Sequence, residues 1–143
     1  MPPYSVEPST DHAELRAALH ELVGRFLADY ERAAAEHGLT LMQARALGFA
    51  ACEPLSQRAL AERFGCDPSN VSVLVDRLVE RALVERRPDP SDGRVKLVAA
   101  TDAGRVLAEA FCRDRAWLGA ALDALAEDER DAVRAALSLL LRD

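Results

Sequence analysis

Residues 56–101 read SQRALAERFGCDPSNVSVLVDRLVERALVERRPDPSDGRVKLVAAT, and the fold is decided in this stretch. Ser56 is a good N-cap, because its hydroxyl can accept one of the backbone N–H groups that a helix start leaves unpaired. Leu55 before it and Leu60 inside the helix stand at the spacing of a hydrophobic staple. Gly65 supplies a permissive backbone where the chain must leave this helix sharply. A second helix opens with Asp67 as N-cap and Pro68 at the first helical position, where a missing N–H costs nothing. Cys66 and Val71 occupy its staple positions.

Inside the second helix Val71, Leu74, Val75 and Leu78 share one stripe, the i, i+3, i+4, i+7 pattern of a buried face. The other side carries Ser69, Ser72, Val73, Asp76, Arg77 and Glu80, with Asn70 at its edge. Small hydrogen-bonding side chains at the N-terminal end of an exposed helix face suit base edges in a major groove. Val73 is an apolar side chain on that polar face, and a thymine methyl would give it a partner. Asp76 can accept from a cytosine amino group or hold an arginine in place; the residues leave both open.

Two short strands follow, Val84-Glu85-Arg86-Arg87 and Arg94-Val95-Lys96-Leu97-Val98. Val84, Val95 and Leu97 are expected to face inward, with Arg86, Arg94 and Lys96 outward. Between them, Pro88-Asp89-Pro90-Ser91-Asp92-Gly93 is turn chemistry throughout. A helix-turn-helix followed by a basic hairpin is a winged helix. Such a fold lays one helix in a major groove and the hairpin on a flanking backbone or minor groove. Arg94 is expected in the minor groove, with the Asp92 carboxylate holding its guanidinium. The expected DNA-binding set is Ser69, Asn70, Ser72, Val73, Arg77, Arg86, Arg87, Asp92, Arg94 and Lys96.

The run from about Leu55 to Gly104, above all LVERRPDPSDGR followed by TDAG, resembles the MarR family of bacterial transcription regulators. The resemblance implies a homodimer on a pseudo-palindromic operator of double-stranded DNA, released by a small molecule or an oxidant. Family habit favours a repressor over an activator. Two positions depart from the family pattern. Ala82 stands where glycine is expected at a helix end, and a left-handed backbone would strain alanine, so this helix is expected to end differently. Gly93 replaces a basic residue that relatives often carry, so a less charged wing is expected.

One domain is the natural prior for 143 residues. Half the residues are hydrophobic and 29% are charged, a globular composition. No apolar run approaches the roughly 20 residues that a membrane span requires, and the N-terminus has neither the basic start nor the apolar core of a signal peptide. A cytoplasmic protein is expected. The net charge of −6 looks unfavourable for nucleic acid, but its distribution matters more. Residues 56–100 hold 8 Lys and Arg against 7 Asp and Glu, a net of +1, which leaves −7 for the remainder. The acidity lies outside the winged helix.

Three cysteines, at 52, 66 and 112, show no metal-ligand spacing and no disulfide framework. Cys66 is expected to pack as a small hydrophobe. Redox sensing through Cys52 or Cys112 is an alternative to small-molecule release. His12, His20 and His37 have no nucleophile at motif spacing, and no glycine-rich phosphate loop is present, so neither an enzyme nor a cofactor is expected. A winged helix used for protein contacts alone is the second alternative.

The expected architecture is mainly α with a small β-hairpin wing, the winged helix-turn-helix at about 41–100. It is flanked by dimerisation helices at about 11–36 and 101–143, after a flexible arm at 1–10. Residues 11–143 form a single domain in this reading. Leu15, Leu19, Leu22, Val23, Phe26, Leu27 and Tyr30 stripe the first helix. Thr40 and Gln43 form a capping box for the second. Gly48 within it marks either close helix packing or room for a ligand, and close packing is favoured. Thr101 caps a helix expected to run to about Leu125. Acidic residues 127–129 open the last, whose Val133, Ala136, Leu137, Leu140 and Leu141 form an apolar face with nothing later in the chain to cover it.

Overall fold

The computed structural model describes residues 10–114 and 116–142. The elements are α1 (Thr10–Glu36), α2 (Leu41–Cys52), β1 (Leu55–Ser56), α3 (Gln57–Phe64) and α4 (Pro68–Glu80). They continue with β2 (Val84–Pro88), β3 (Lys96–Ala100), α5 (Asp102–Asp114), α6 (Ala116–Asp123) and α7 (Glu127–Leu140). The arm expected at 1–10 lies outside the described residues except for Thr10, which begins α1. The chain divides into two compact units, Met1–Asp29 with Trp117–Asp143, and Tyr30–Ala116.

The second unit holds the winged helix. Helix α2 opens as expected: the Gln43 N–H donates to Thr40 Oγ1 at 3.2 Å, and the Thr40 N–H donates to Gln43 Oε1 at 2.9 Å. It packs on α4 and α5, and α3 packs on α4. Leu47, Leu60, Val71, Val75, Leu78, Val84, Val98 and Phe111 are fully buried between these elements. Each such side chain contributes about 1.5–3 kcal/mol relative to exposure. Tyr30 and Phe111 meet with tilted rings, their centroids 5.4 Å apart. A methyl at Gly48 would stand 3.5 Å from the Tyr30 hydroxyl and 3.9 Å from Phe111, ordinary contact distances, so the position faces packed side chains but would admit an alanine.

The sheet has three antiparallel strands in the order β1-β3-β2, one more than expected. Leu55 pairs with Val98 and Ser56 with Leu97, while Arg86 pairs with Val98 and Pro88 with Lys96. Strand β3 also starts two residues later than expected. Val95 precedes it and is 37% exposed, and the buried run is Val98, Ala99 and Ala100. The centre of the sheet is covered on both faces, so alternation between inside and outside is lost there.

In the first unit, α7 has no buried residue. Its Val133, Leu137, Leu140 and Leu141 are exposed, and so are Leu15, Leu22 and Val23 of α1. The Ala126 N–H donates to Glu129 Oε2 at 2.8 Å and fixes the start of α7. The one helix expected over 101–125 is described as two, α5 and α6, with residue 115 between them outside the described residues. No helix among the described residues is long and apolar enough to cross a membrane.

Candidate nucleic-acid interface

Helix α3 starts at Ser56, whose Oγ accepts from the Ala59 N–H at 3.1 Å, and ends at Gly65 in the left-handed conformation with φ 63°. The turn is therefore tight, and α4 begins with Pro68 three residues later. Asp67 stands at the N-cap with extended backbone, but its carboxylate makes no cap hydrogen bond. Its carbonyl accepts from the Asn70 N–H at 3.1 Å, so the backbone alone sets the start of α4.

The stripe read from periodicity faces the core. Val71, Val75 and Leu78 are buried and Leu74 is half-buried. On the opposite side Ser69, Asn70, Asp76 and Arg77 are exposed, Ser72 is half-buried, and Val73 is 57% exposed. Five of the ten expected DNA-binding residues thus share one solvent-facing surface of α4.

The end of α4 corrects one expectation. Ala82 has φ 54°, so the helix ends in the glycine-like way despite the alanine. The Ala82 N–H donates to the Val79 carbonyl at 2.8 Å and the Leu83 N–H to the Leu78 carbonyl at 3.0 Å, the pair of bonds of a Schellman ending. The Ala82 carbonyl then accepts from Thr101 Oγ1 at 2.6 Å, which holds the strained residue in place. This turn sends the chain straight into β2.

The cations of α4 and the hairpin fall into two groups. The Arg86 guanidinium donates from Nη2 to Asp76 Oδ1 at 2.6 Å and from Nε to Gln57 Oε1 at 3.0 Å. Arg87 pairs with Glu85 at 3.0 Å. Among the described residues, Arg77, Arg94 and Lys96 form no ion pair. The outward orientation expected of Arg86 is therefore corrected. Two residues apart on one strand, Val84 and Arg86 point to the same side, and Arg86 is drawn onto α3 and α4. Asp76 holds an arginine, one of its two open readings. Gln57 was missed by sequence reasoning; the strand parity of Arg86 and the position of Gln57 at the start of α3 were the available signals.

The tip of the wing is built by carboxylates on backbone. Asp89 Oδ1 accepts from the Ser91 N–H at 2.8 Å, and Asp92 Oδ1 from the Arg94 N–H at 3.1 Å. Asp92 thus fixes the Arg94 main chain, where a grip on the guanidinium had been expected. Elsewhere, Cys52 and Cys112 are exposed, and Cys66 is only partly covered, less than its expected packing role requires.

Two helices joined by a tight turn, the second with a polar exposed face, followed by an antiparallel hairpin whose Arg94 and Lys96 form no ion pair among the described residues, define a winged helix-turn-helix. The model of the MarR family matches residues 37–95. A MarR-family transcriptional regulator from Rhodococcus sp. RHA1 is similar, with 31% identity, a TM-score of 0.72, and coverage of 90% of this chain and 94% of that one. CouR from Rhodococcus jostii RHA1, solved with p-coumaroyl-CoA, shows 33% identity and a TM-score of 0.71, covering 86% and 88%. An HTH-type transcriptional regulator of Mycobacterium tuberculosis is 37% identical over 84 residues, 58% of this chain and 59% of that protein. The chain thus spans about three fifths of the length of the curated relatives it matches. It belongs to the MarR family.

Proposed function

We propose that the chain is a sequence-specific DNA-binding transcriptional repressor, acting in the cytoplasm as a homodimer on a pseudo-palindromic operator. The observation that carries this reading is the exposed face of α4. It presents Ser69, Asn70, Ser72, Val73 and Arg77, while Arg94 and Lys96 on the hairpin have no acidic partner among the described residues. Helix α4 enters the major groove, where Asn70 reads an adenine edge and Val73 packs on a thymine methyl. Arg77, Arg87 and Lys96 meet phosphates, and Arg94 enters the flanking minor groove, where narrow A·T-rich stretches concentrate negative potential. The exposed apolar residues of α1 and α7 supply the dimer contact. Release by a small molecule is supported by the likeness to CouR, which was solved with an acyl-CoA ligand.

Selection of bound fragments from the source genome, followed by sequencing, tests the reading. The expected result is one enriched inverted repeat. Asn70→Ala and Val73→Ala should then relax preference at single positions of each half-site, each by about 1–3 kcal/mol, and leave non-specific binding nearly unchanged. Failure to enrich any sequence would overturn it, and uniform weakening across all sequences would remove these two residues from base readout.

A further inference from the structure

Asp76 is a paradox on a DNA-facing helix. Its carboxylate is 55% exposed, it shares the face of Asn70, Val73 and Arg77, and a phosphate backbone would repel it. Arg86 resolves the paradox. Its side chain is only 29% exposed, and its guanidinium bridges Asp76 of α4 and Gln57 of α3 while its backbone pairs with Val98 in the sheet. Two directions of the planar fork are used, so one arginine ties three elements together.

We propose that Arg86 is a positioning residue and not a phosphate ligand: it neutralises Asp76 and locks the hairpin to both helices of the helix-turn-helix. The inference rests on the DNA-binding reading above and assigns roles within it. Arg94 and Lys96 add charge that DNA sees. Arg86 has already spent its charge on Asp76, and it sets the angle at which wing and α4 present themselves together. A locked pair of elements loses less freedom on binding than two that move separately, which favours affinity without a further contact.

A double-mutant cycle with Arg86→Gln, Asp76→Asn and the pair, in the full-length chain, separates the two roles. Binding to a mixed-sequence 30-base-pair duplex is measured from low to moderate salt, with Arg94→Ala alongside. A phosphate ligand lost lowers the slope of log K against log salt by about one unit. The expected result is that Arg94→Ala shows this drop and Arg86→Gln keeps the wild-type slope. Arg86→Gln should still weaken binding, and adding Asp76→Asn should recover at least about fivefold of the loss. Gln57→Ala, which removes no charge and leaves the core intact, should weaken binding in the same direction with an unchanged slope. A one-unit drop for Arg86→Gln that persists in the double variant would overturn the inference and leave the DNA-binding reading standing. A wild-type chain without salt-dependent binding would overturn that reading and the inference with it.

Discussion

Gly104 lies so close beneath Leu83 that a β-carbon on it would stand 1.9 Å from the Leu83 carbonyl oxygen. The obstacle is backbone, and that carbonyl also accepts the Thr101 N–H at 3.1 Å, so it has little freedom to move. Gly104 therefore sets how near the start of α5 approaches the start of β2. Gly104→Ala is expected to destabilise the chain by about 3 kcal/mol, at the upper end of ordinary overpacking. Urea unfolding measures this directly, and a midpoint within error of wild type would show that the two backbones separate at little cost.

Ala82 offers the opposite change. Its left-handed backbone costs alanine about 1–2 kcal/mol, and glycine bears no such cost. Part of that gain is offset by the greater freedom of glycine in the unfolded chain. Ala82→Gly should raise stability by about 1 kcal/mol and leave DNA affinity unchanged. A fall in thermal midpoint would contradict the assigned φ.

Asp92 separates geometry from charge. Its carboxylate accepts from the Arg94 N–H, and asparagine can make the same bond through its amide oxygen. If the wing meets phosphate as proposed, Asp92→Asn should keep the turn, remove a negative charge, and bind DNA more tightly than wild type. Asp92→Ala loses the bond and should bind more weakly than Asp92→Asn. Equal affinity for the two variants would show that the Asx turn plays no part in placing Arg94.

At Gly93 a β-carbon would meet nothing within 4 Å, and no left-handed backbone requires glycine there. Gly93→Lys should fold normally and steepen the salt dependence of DNA binding by about one unit. An unchanged slope would place the wing tip away from phosphate.

Assembly is read from α7. Leu140 and Leu141 are 56% and 79% exposed in the single chain, and Leu137 is 42% exposed. If these side chains meet a second copy, light scattering of the wild type at micromolar concentration gives twice the chain mass. Leu137→Glu with Leu140→Glu should then give the monomer. A monomeric wild type would remove the homodimer from the proposal.

Features with a local chemical cause were legible in the residues. The Thr40 capping box, the Ser56 cap, the Gly65 exit, Pro68 at the start of α4 and Thr101 at the start of α5 all follow from one or two side chains beside a helix end. The buried stripe of α4 follows from period alone. Strand β1 was hidden because two residues carry no period, and only the pairing of Leu55 with Val98 reveals it. The edges of β3 were misplaced because the sheet buries Val98, Ala99 and Ala100 in succession. Within the interface, the exposed face of α4 was legible, but the partners of its charges were not. Asp76 and Arg86 are ten residues apart, and only folding the hairpin back onto α4 lets them meet.

Arg81 closes α4 as its C-cap, and its guanidinium donates to the carbonyls of Gly38 at 2.8 Å and His37 at 3.1 Å, just beyond the end of α1. Both helices point the negative end of their dipoles at this spot. One cation thus serves as the shared counter-charge of two like poles that would otherwise push apart. The turn after α1 is held further by His37, whose Nε2 lies 2.7 Å from Asp114 Oδ2 at the end of α5. The C-terminal end of α4 is therefore fastened to the α1–α2 turn by an electrostatic rivet. A displacement of the α1–α2 turn would pull on the base of α4 before it reached the exposed face of that helix.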